Sequence, residues 1–109
     1  MLTLPGDREK KMPHTLEQLK EILHERREEM ARDYAVAAIG IFGSHVREEA
    51  TPGSDIDILV EFDKPIGFFK FLELEEKLAQ WLGAPVDLVT KAALKPHIGQ
   101  NILKEVAMI

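Results

Sequence analysis

The chain has 109 residues, 45% hydrophobic and 30% charged, which is the balance of one globular domain with its own core. It has no cysteine, which excludes a disulfide framework and a cysteine-based zinc site. The formal net charge of −5 argues against a long nucleic acid as partner, because proteins that grip phosphate backbones present a basic face.

The sequence gives no sign of a membrane or export signal. No apolar run approaches the roughly 18 residues of a membrane span, and residues 1–14 lack the apolar segment of a signal peptide. The absence of cysteine fits a reducing compartment. We therefore expect a cytoplasmic protein with a flexible lead-in over residues 1–14 and one domain over residues 15–109.

The first predicted element is an amphipathic helix that begins after Thr15 and ends near Ala31. Thr15 and Gln18 form a capping-box pattern. One face of the helix carries an apolar stripe of Leu16, Leu19, Ile22 and Leu23. The continuously apolar segment 34–42, YAVAAIGIF, then predicts a central strand.

Turns and a second strand follow. Gly43 and Ser44 end the first strand, residues 45–50 predict a short helical turn, and 51–54, TPGS, predict a turn by composition. A second strand is predicted over 55–62, where alternate side chains point to opposite faces. One face carries Ile56, Ile58, Val60 and Phe62, and the other carries Asp55, Asp57, Leu59 and Glu61.

The second half of the chain predicts a helix, a strand and a helical tail. Residues 67–83 form an amphipathic pattern whose inward positions are Phe71, Leu74, Leu78, Trp81 and Leu82. The segment 84–90, APVDLVT, predicts a third strand. A helix is expected from about Pro96 to Lys104, followed by the apolar piece VAMI. This order of elements predicts an α/β-type (α+β) domain with helices packed against a small sheet.

Two carboxylates on one face of a core strand need an explanation. Asp55 and Asp57 have Cα atoms roughly 6.5–7 Å apart, and two charges about 4 Å apart repel by roughly 4 kcal/mol at an effective dielectric constant near 20. A cation between them removes that cost, and oxygen ligands favour Mg²⁺ or Mn²⁺. Asp87 interrupts another apolar strand. If the two strands are neighbours, three carboxylates meet as in a two-metal phosphoryl-transfer site.

The turn after the first strand has features of a phosphate site. Gly43 lets the backbone approach a phosphate closely, and a helix beginning after it would offer N–H donors. Ser44 adds a hydroxyl, and Arg47 adds a charge for a leaving pyrophosphate. Glu48 and Glu49 must then point away from the nucleotide. Each feature alone is typical of an ordinary turn, and their combination with the strand carboxylates favours a nucleotide site.

Other polar residues favour ordinary structural roles. The histidines at positions 14, 24, 45 and 97 show no metal-ligand spacing, and His45 alone follows the Gly-Ser turn, where it could touch a nucleotide. Glu61 continues the Asp55–Asp57 face too far along the strand to share their metal. Lys91, just after Asp87, is expected to be an exposed lysine.

The motif-bearing segments resemble a known family. GSHVREEATPGSDIDILVEF, followed by PVDLVTKAALKP and ILKEVAMI, is similar to the nucleotidyltransferase superfamily that includes DNA polymerase beta. The closer similarity is to its minimal nucleotidyltransferase branch, the MNT or MntA-like antitoxins, over most of residues 36–109. The resemblance implies that residues 15–109 form a minimal nucleotidyltransferase domain with a small mixed sheet and helices mainly on one side.

The resemblance also implies roles for the site residues. Gly43 and Ser44 would hold the β- and γ-phosphates of ATP. Asp55 and Asp57 would bind two Mg²⁺ ions, and Asp87 would bind one of them and help to deprotonate the attacking hydroxyl.

Two positions near the turn bear on the match. Arg47 corresponds to the arginine common after Gly-Ser in this branch, whereas Glu48 replaces the glycine often found next. The resemblance further implies a partner, a HEPN-domain RNase toxin, to which active members of the branch transfer AMP from ATP on a tyrosine.

Three functions therefore remain open on the sequence. The first is a protein adenylyltransferase that acts as an antitoxin. The second is an antitoxin that masks its partner by binding, without chemistry. The third is a nucleotidyltransferase for a small molecule such as an antibiotic, completed by another subunit. The complete set of Asp55, Asp57 and Asp87 favours the first.

Overall fold

The computed structural model describes residues 15–51, 53–93 and 102–109. The lead-in predicted for residues 1–14 lies outside this range. The tail helix predicted from about Pro96 to Lys104 lies partly outside it, and within it residues 102–105 are helical.

The N-terminal helix begins where the capping box predicts. Thr15 Oγ1 accepts the Gln18 N–H at 3.1 Å, and Gln18 Oε1 accepts the Thr15 N–H at 2.9 Å. Both bonds satisfy N–H groups that have no partner inside the first turn. The helix that follows, α1, spans Leu16–Glu25.

The single helix predicted to Ala31 is wrong, because the chain forms two helices. Arg26 has φ −97° and ψ 5°, outside helical values, and α2 then spans Arg27–Tyr34. No glycine or proline marks this break. It turns the second helix so that Met30 and Tyr34, 0% and 3% exposed, enter the core.

Four strands form one mixed sheet. β1 spans Val36–Phe42, β2 spans Ile56–Phe62, β3 spans Val86–Thr90 and β4 spans Ala107–Met108. The spatial order is β3-β2-β1-β4, with β1 antiparallel to both neighbours and β2 parallel to β3. The small mixed sheet that the resemblance implies is confirmed.

Several predicted boundaries move by one or two residues. The first strand begins at Val36 and not at residue 34, because Tyr34 still belongs to α2 and its hydroxyl donates to Glu73 Oε2 at 2.8 Å. Ala35 turns the chain with a left-handed φ of 58°. The short helical turn expected over 45–50 is a 3₁₀ turn at Gly43–His45.

Helices cover one face of the sheet. The third helix, α3, spans Phe68–Leu82 and ends at Gly83, whose left-handed φ of 75° stops it. The buried core lies between helices and sheet and consists of Leu19, Leu23, Met30, Tyr34, Val36, Ile39, Ile41, Ile56, Ile58, Val60, Leu74, Leu78, Leu82 and Leu88. Among the described helices, none combines the length and hydropathy needed to cross a membrane.

The C-terminal segment partly covers the opposite face. β4 adds an edge strand that the sequence did not predict, and it pairs Met108 with Gly40. A Cβ on Gly40 would lie 2.6 Å from Met108 Sδ and 2.8 Å from Val106 Cγ2. The absence of a side chain at Gly40 therefore allows the side chains of Val106 and Met108 to pack closely against β1.

Candidate active site

The predicted carboxylates gather at one end of the sheet. Parallel pairing of β2 and β3 places Asp57 opposite Asp87, and Asp55 immediately precedes β2. All three lie on the face away from the helices, because Ile58 and its partner Leu88 point into the core. Asp57 is half-buried, whereas Asp55 and Asp87 are exposed.

The repulsion expected from the sequence acts on Asp57. Burial raises the pKa of its carboxyl, and the negative charges of Asp87 and then Asp55 raise it further. His45 and Arg47 lower it by smaller amounts. Burial and neighbouring like charges together disfavour the ionised form of Asp57.

The Gly-Ser turn lies directly beside these carboxylates. Phe42, the last residue of β1, pairs with Asp57, so Gly43 follows next to the Asp57 side chain. Gly43 has a left-handed φ of 83°, and a Cβ there would collide with Asp57 Oδ2. The Gly43 carbonyl accepts N–H bonds from Val46 at 3.0 Å and Arg47 at 3.1 Å. Conformation and close approach both require glycine at this position.

Half-buried Ser44 sits between Gly43 and a buried histidine. His45 is only 8% exposed, and its Nδ1 has no hydrogen-bond partner among the described residues. Burial lowers the pKa of this imidazole, and the charge of Asp57 partly opposes that shift. His45 is therefore a buried imidazole close to Asp57, a placement that its position in the sequence indicated only weakly.

Arg47 is held by two carboxylates. Its Nε donates to Glu49 Oε1 at 3.0 Å, and its Nη1 donates to Glu105 Oε1 at 2.9 Å and Oε2 at 3.1 Å. The Arg47 side chain is 48% exposed. Glu105 has no motif in the sequence that marks it, and its only signal is its place just before the apolar end of the chain.

Glu48, which follows Arg47, has an unusual backbone conformation. Glu48 has a left-handed φ of 63°, as only Ala35 does among the other described non-glycine residues. Glycine adopts this conformation without strain. A glycine at this position would hold the same backbone without strain, whereas Glu48 holds it at a conformational cost.

The carboxylates fit a divalent cation in kind but not in their present orientation. Within the described ranges, no three His, Cys, Asp or Glu side chains converge closely enough to hold a metal ion. The hard oxygen donors of Asp55, Asp57 and Asp87 are nevertheless those that Mg²⁺ and Mn²⁺ prefer. Asp57 leans against Gly43, so binding a shared ion requires rotation of these side chains.

Comparison with known proteins identifies the family of this chain. The family model described as "Nucleotidyltransferase domain" matches residues 16–109. The protein adenylyltransferase MntA of Thermococcus cleftensis is 45% identical over 95 residues, which cover 87% of this chain and 96% of that protein.

Solved structures show the same fold. A structure provisionally assigned as a minimal nucleotidyltransferase superposes with a TM-score of 0.74 at 30% identity, and the match covers 86% of this chain and 95% of that one. A toxin–antitoxin structure with AMP-PNP has a TM-score of 0.64 at 27% identity, over 77% of this chain and 69% of that one. This chain therefore belongs to the nucleotidyltransferase family, in its minimal, MntA-like branch.

Proposed function

We propose that this chain transfers AMP from ATP to a tyrosine hydroxyl of a HEPN-type RNase toxin and thereby acts as its antitoxin. The observation that carries the proposal is the register of the sheet. Asp57 lies opposite Asp87 and directly beside the turn at Gly43. A carboxylate cluster next to a glycine–serine turn is suited to a nucleoside triphosphate and its metal ions.

The reaction is an in-line substitution at the α-phosphorus. The tyrosine oxygen forms a bond to this phosphorus while the bond to the bridging oxygen breaks, and pyrophosphate leaves with the electron pair. The hydroxyl proton passes to the Asp87 carboxylate, which is exposed and therefore accessible to an acceptor from outside the chain. Asp57, half-buried against the turn, faces the nucleotide side of the site.

The turn residues hold the phosphates. Gly43 allows the chain to approach the β- and γ-phosphates, and Ser44 supplies a hydroxyl donor. Arg47 supports the charge of the departing pyrophosphate. Glu48 and Glu49 are exposed, and Glu49 is turned towards Arg47 by their 3.0 Å ion pair.

Asp55, Asp57 and Asp87 are the residues that would hold two Mg²⁺ ions. When bound, these ions offset the charge that develops on the phosphate oxygens. Burial, and then the charges of Asp87 and Asp55, raise the pKa of Asp57, and a cation held by these carboxylates would oppose that shift.

Two similarities support a protein acceptor. MntA of Thermococcus cleftensis is named a protein adenylyltransferase. A solved toxin–antitoxin structure that contains the ATP analogue AMP-PNP has the same fold as this chain. Exposure of Asp87 leaves the acceptor side of the site open to a second protein.

The test is the destination of the label from α-³²P ATP. The chain is incubated with Mg²⁺, the co-expressed toxin and, separately, a panel of small hydroxyl acceptors. We expect radiolabel to be retained on the toxin and to be lost with Asp57→Asn. Radiolabel on a small acceptor and not on the toxin would show that the substrate is a small molecule. A stable complex without label would favour an antitoxin that only masks its partner.

A further inference from the structure

One carboxylate ties together the two ends of the Gly-Ser turn. Glu105 Oε2 accepts the Gly43 N–H at 2.9 Å, across 62 residues of sequence. The same carboxylate accepts both contacts from Arg47 Nη1, at 2.9 and 3.1 Å. Its side chain is only 24% exposed. No other described residue is hydrogen-bonded to both the backbone of Gly43 and the side chain of Arg47.

Glu105 is the last residue of the helical turn at 102–105, which precedes β4. The Val106 N–H donates to the Ile102 carbonyl at 2.9 Å and closes this turn around Glu105. On the other side, β4 pairs Ala107 with Ile41 and Met108 with Gly40, and the Ile109 N–H donates to the Ile39 carbonyl at 3.0 Å. Glu105 is thus placed by a helical turn that the pairing of β4 anchors to β1.

Glu105 approaches Gly43 from the flank opposite the aspartates. In the order β3-β2-β1-β4, the end of β1 lies between Asp57 on β2 and the segment that carries Glu105. A nucleotide on the aspartate side can therefore bind while Glu105 keeps its bonds. This arrangement indicates a support for the turn, not a competitor for the phosphate.

The contacts are of the strong, charge-assisted kind. The Gly43 N–H first, and then Arg47, keep the pKa of Glu105 below its usual value, so the carboxylate stays ionised at neutral pH. Gly43 has a left-handed backbone that only glycine adopts freely, and the bond from its N–H to Glu105 restrains this permissive residue.

We infer that Glu105 is a positioning residue, which fixes the Gly43 turn and the Arg47 guanidinium so that Ser44 and Arg47 meet the phosphates of the nucleotide. This inference rests on the proposed function. Glu105 itself does not touch the nucleotide. It acts through the conformation of the turn, and the polar support of binding groups typically affects affinity by about 10- to 100-fold.

The test compares the two carboxylates that hold Arg47. Binding of AMP-PNP with Mg²⁺ is measured by calorimetry for the wild type, Glu105→Ala, Glu105→Gln and Glu49→Ala, with the thermal midpoint of each. We expect Glu105→Ala to weaken binding about 10-fold or more. Glu49→Ala should change it less than about 2-fold, because that exposed pair does not reach Gly43.

Glu105→Gln keeps an acceptor for the Gly43 N–H and loses the charge that pairs with Arg47, so its affinity should fall between wild type and Glu105→Ala. In transfer assays the loss should appear mainly in KM for ATP and less in kcat. If Glu105→Ala does not fold, Glu105→Gln decides the matter, since it must bind more weakly than the wild type.

Three results would overturn the inference. Affinity unchanged in Glu105→Ala and Glu105→Gln, with only a lowered thermal midpoint, would make Glu105 purely structural. A loss of AMP-PNP affinity in Glu105→Ala no larger than that in Glu49→Ala would show that the bond from Glu105 to Gly43 has no role in binding. Tighter binding would show that Glu105 competes with the phosphate. A wild-type chain that fails to bind AMP-PNP would instead contradict the proposed function itself.

Discussion

The two faces of β2 are built for different purposes from adjacent residues. Ile56, Ile58 and Val60 are at most 1% exposed and pack beneath the helices. Asp57, Leu59 and Glu61 lie on the other face, where Leu59 is only 3% exposed and Asp57 lies at the end that meets Asp87 and the Gly43 turn. Stability thus comes mainly from one face and the candidate chemistry from the other, and a one-residue step along the strand moves between them.

This difference predicts that neighbouring substitutions separate activity from stability. A change on the helix-covered face should lower the free energy of unfolding while the remaining folded molecules work normally. A change on the carboxylate face should remove transfer and leave the fold intact, because charges that repel in the metal-free state do not hold it together.

The largest effect is expected for Asp57→Asn. Loss of this ligand should lower AMP transfer by about 10²–10⁴-fold, since metal ions contribute several kcal/mol of charge stabilisation in such reactions. Single-turnover transfer with saturating ATP measures it, and circular dichroism checks the fold. Transfer at the wild-type rate would remove Asp57 from the site.

Ile58→Ala is the matched change on the opposite face. It should destabilise the chain by about 2–5 kcal/mol, the usual range for deleting a large aliphatic side chain from a core. Denaturant unfolding measures the loss, and Ile58→Val should lose only about 0.5–1.5 kcal/mol. Transfer per folded molecule should be retained, and a specific loss of kcat would show that the two faces are not separable.

Gly43→Ala should lower both the stability of the fold and the affinity for the nucleotide. A left-handed backbone costs a non-glycine residue about 1–2 kcal/mol, and the new Cβ also displaces Asp57. Gly53→Ala is the control, because Gly53 has a φ of 116° but nothing within 4 Å of its Cβ position. Both variants should unfold more easily, and only Gly43→Ala should also weaken AMP-PNP binding. Equal nucleotide affinity in the two variants would contradict the claim that the close contact between Gly43 and Asp57 matters for nucleotide binding.

The metal-free chain should show the titration of Asp57. Its folded-state pKa is raised by burial and by Asp87 and Asp55, above an unfolded value of about 3.9. The protonated carboxyl therefore contributes stability below the unfolded pKa, and this contribution is lost as pH rises through the folded pKa. In EDTA, the thermal midpoint of Asp57→Asn should exceed that of the wild type by more at about pH 7 than at about pH 3.5. The same difference in thermal midpoint at both pH values would argue against a raised pKa for Asp57.

The smallest effect is expected for Glu48→Gly. Glycine relieves the left-handed strain at φ 63° but adds entropy to the unfolded chain, so the net gain should be about 1 kcal/mol or less. Glu48→Ala removes the carboxylate and keeps the strain, and it should not share the gain. Equal unfolding midpoints for the two variants would mean that Glu48 is not strained.

The sequence predicted the elements whose patterns are local. The alternation of Ile56 to Phe62 identified both faces of β2, and the capping box located the start of α1. The family resemblance supplied the mixed sheet, since no local pattern encodes strand direction. The roles of Asp55, Asp57, Asp87, Gly43, Ser44 and Arg47 stay predictions, although the structure brings the aspartates and the turn together.

What the sequence could not supply depends on distant pairing. β4 has only two residues, too few for a periodicity, and it exists because β1 offers an open edge. Glu105 reads as an ordinary charged residue until that pairing sets it beside Gly43. The break at Arg26 likewise follows from packing, because its neighbours are all compatible with a helix.

AMP transfer to a protein is tested most directly by the intact mass of the co-expressed toxin after incubation with this chain, ATP and Mg²⁺, beside an Asp87→Asn control. We expect a gain of one or more AMP masses on the toxin, absent in the control. An unchanged mass with the wild-type chain, or an equal gain with Asp87→Asn, would contradict it.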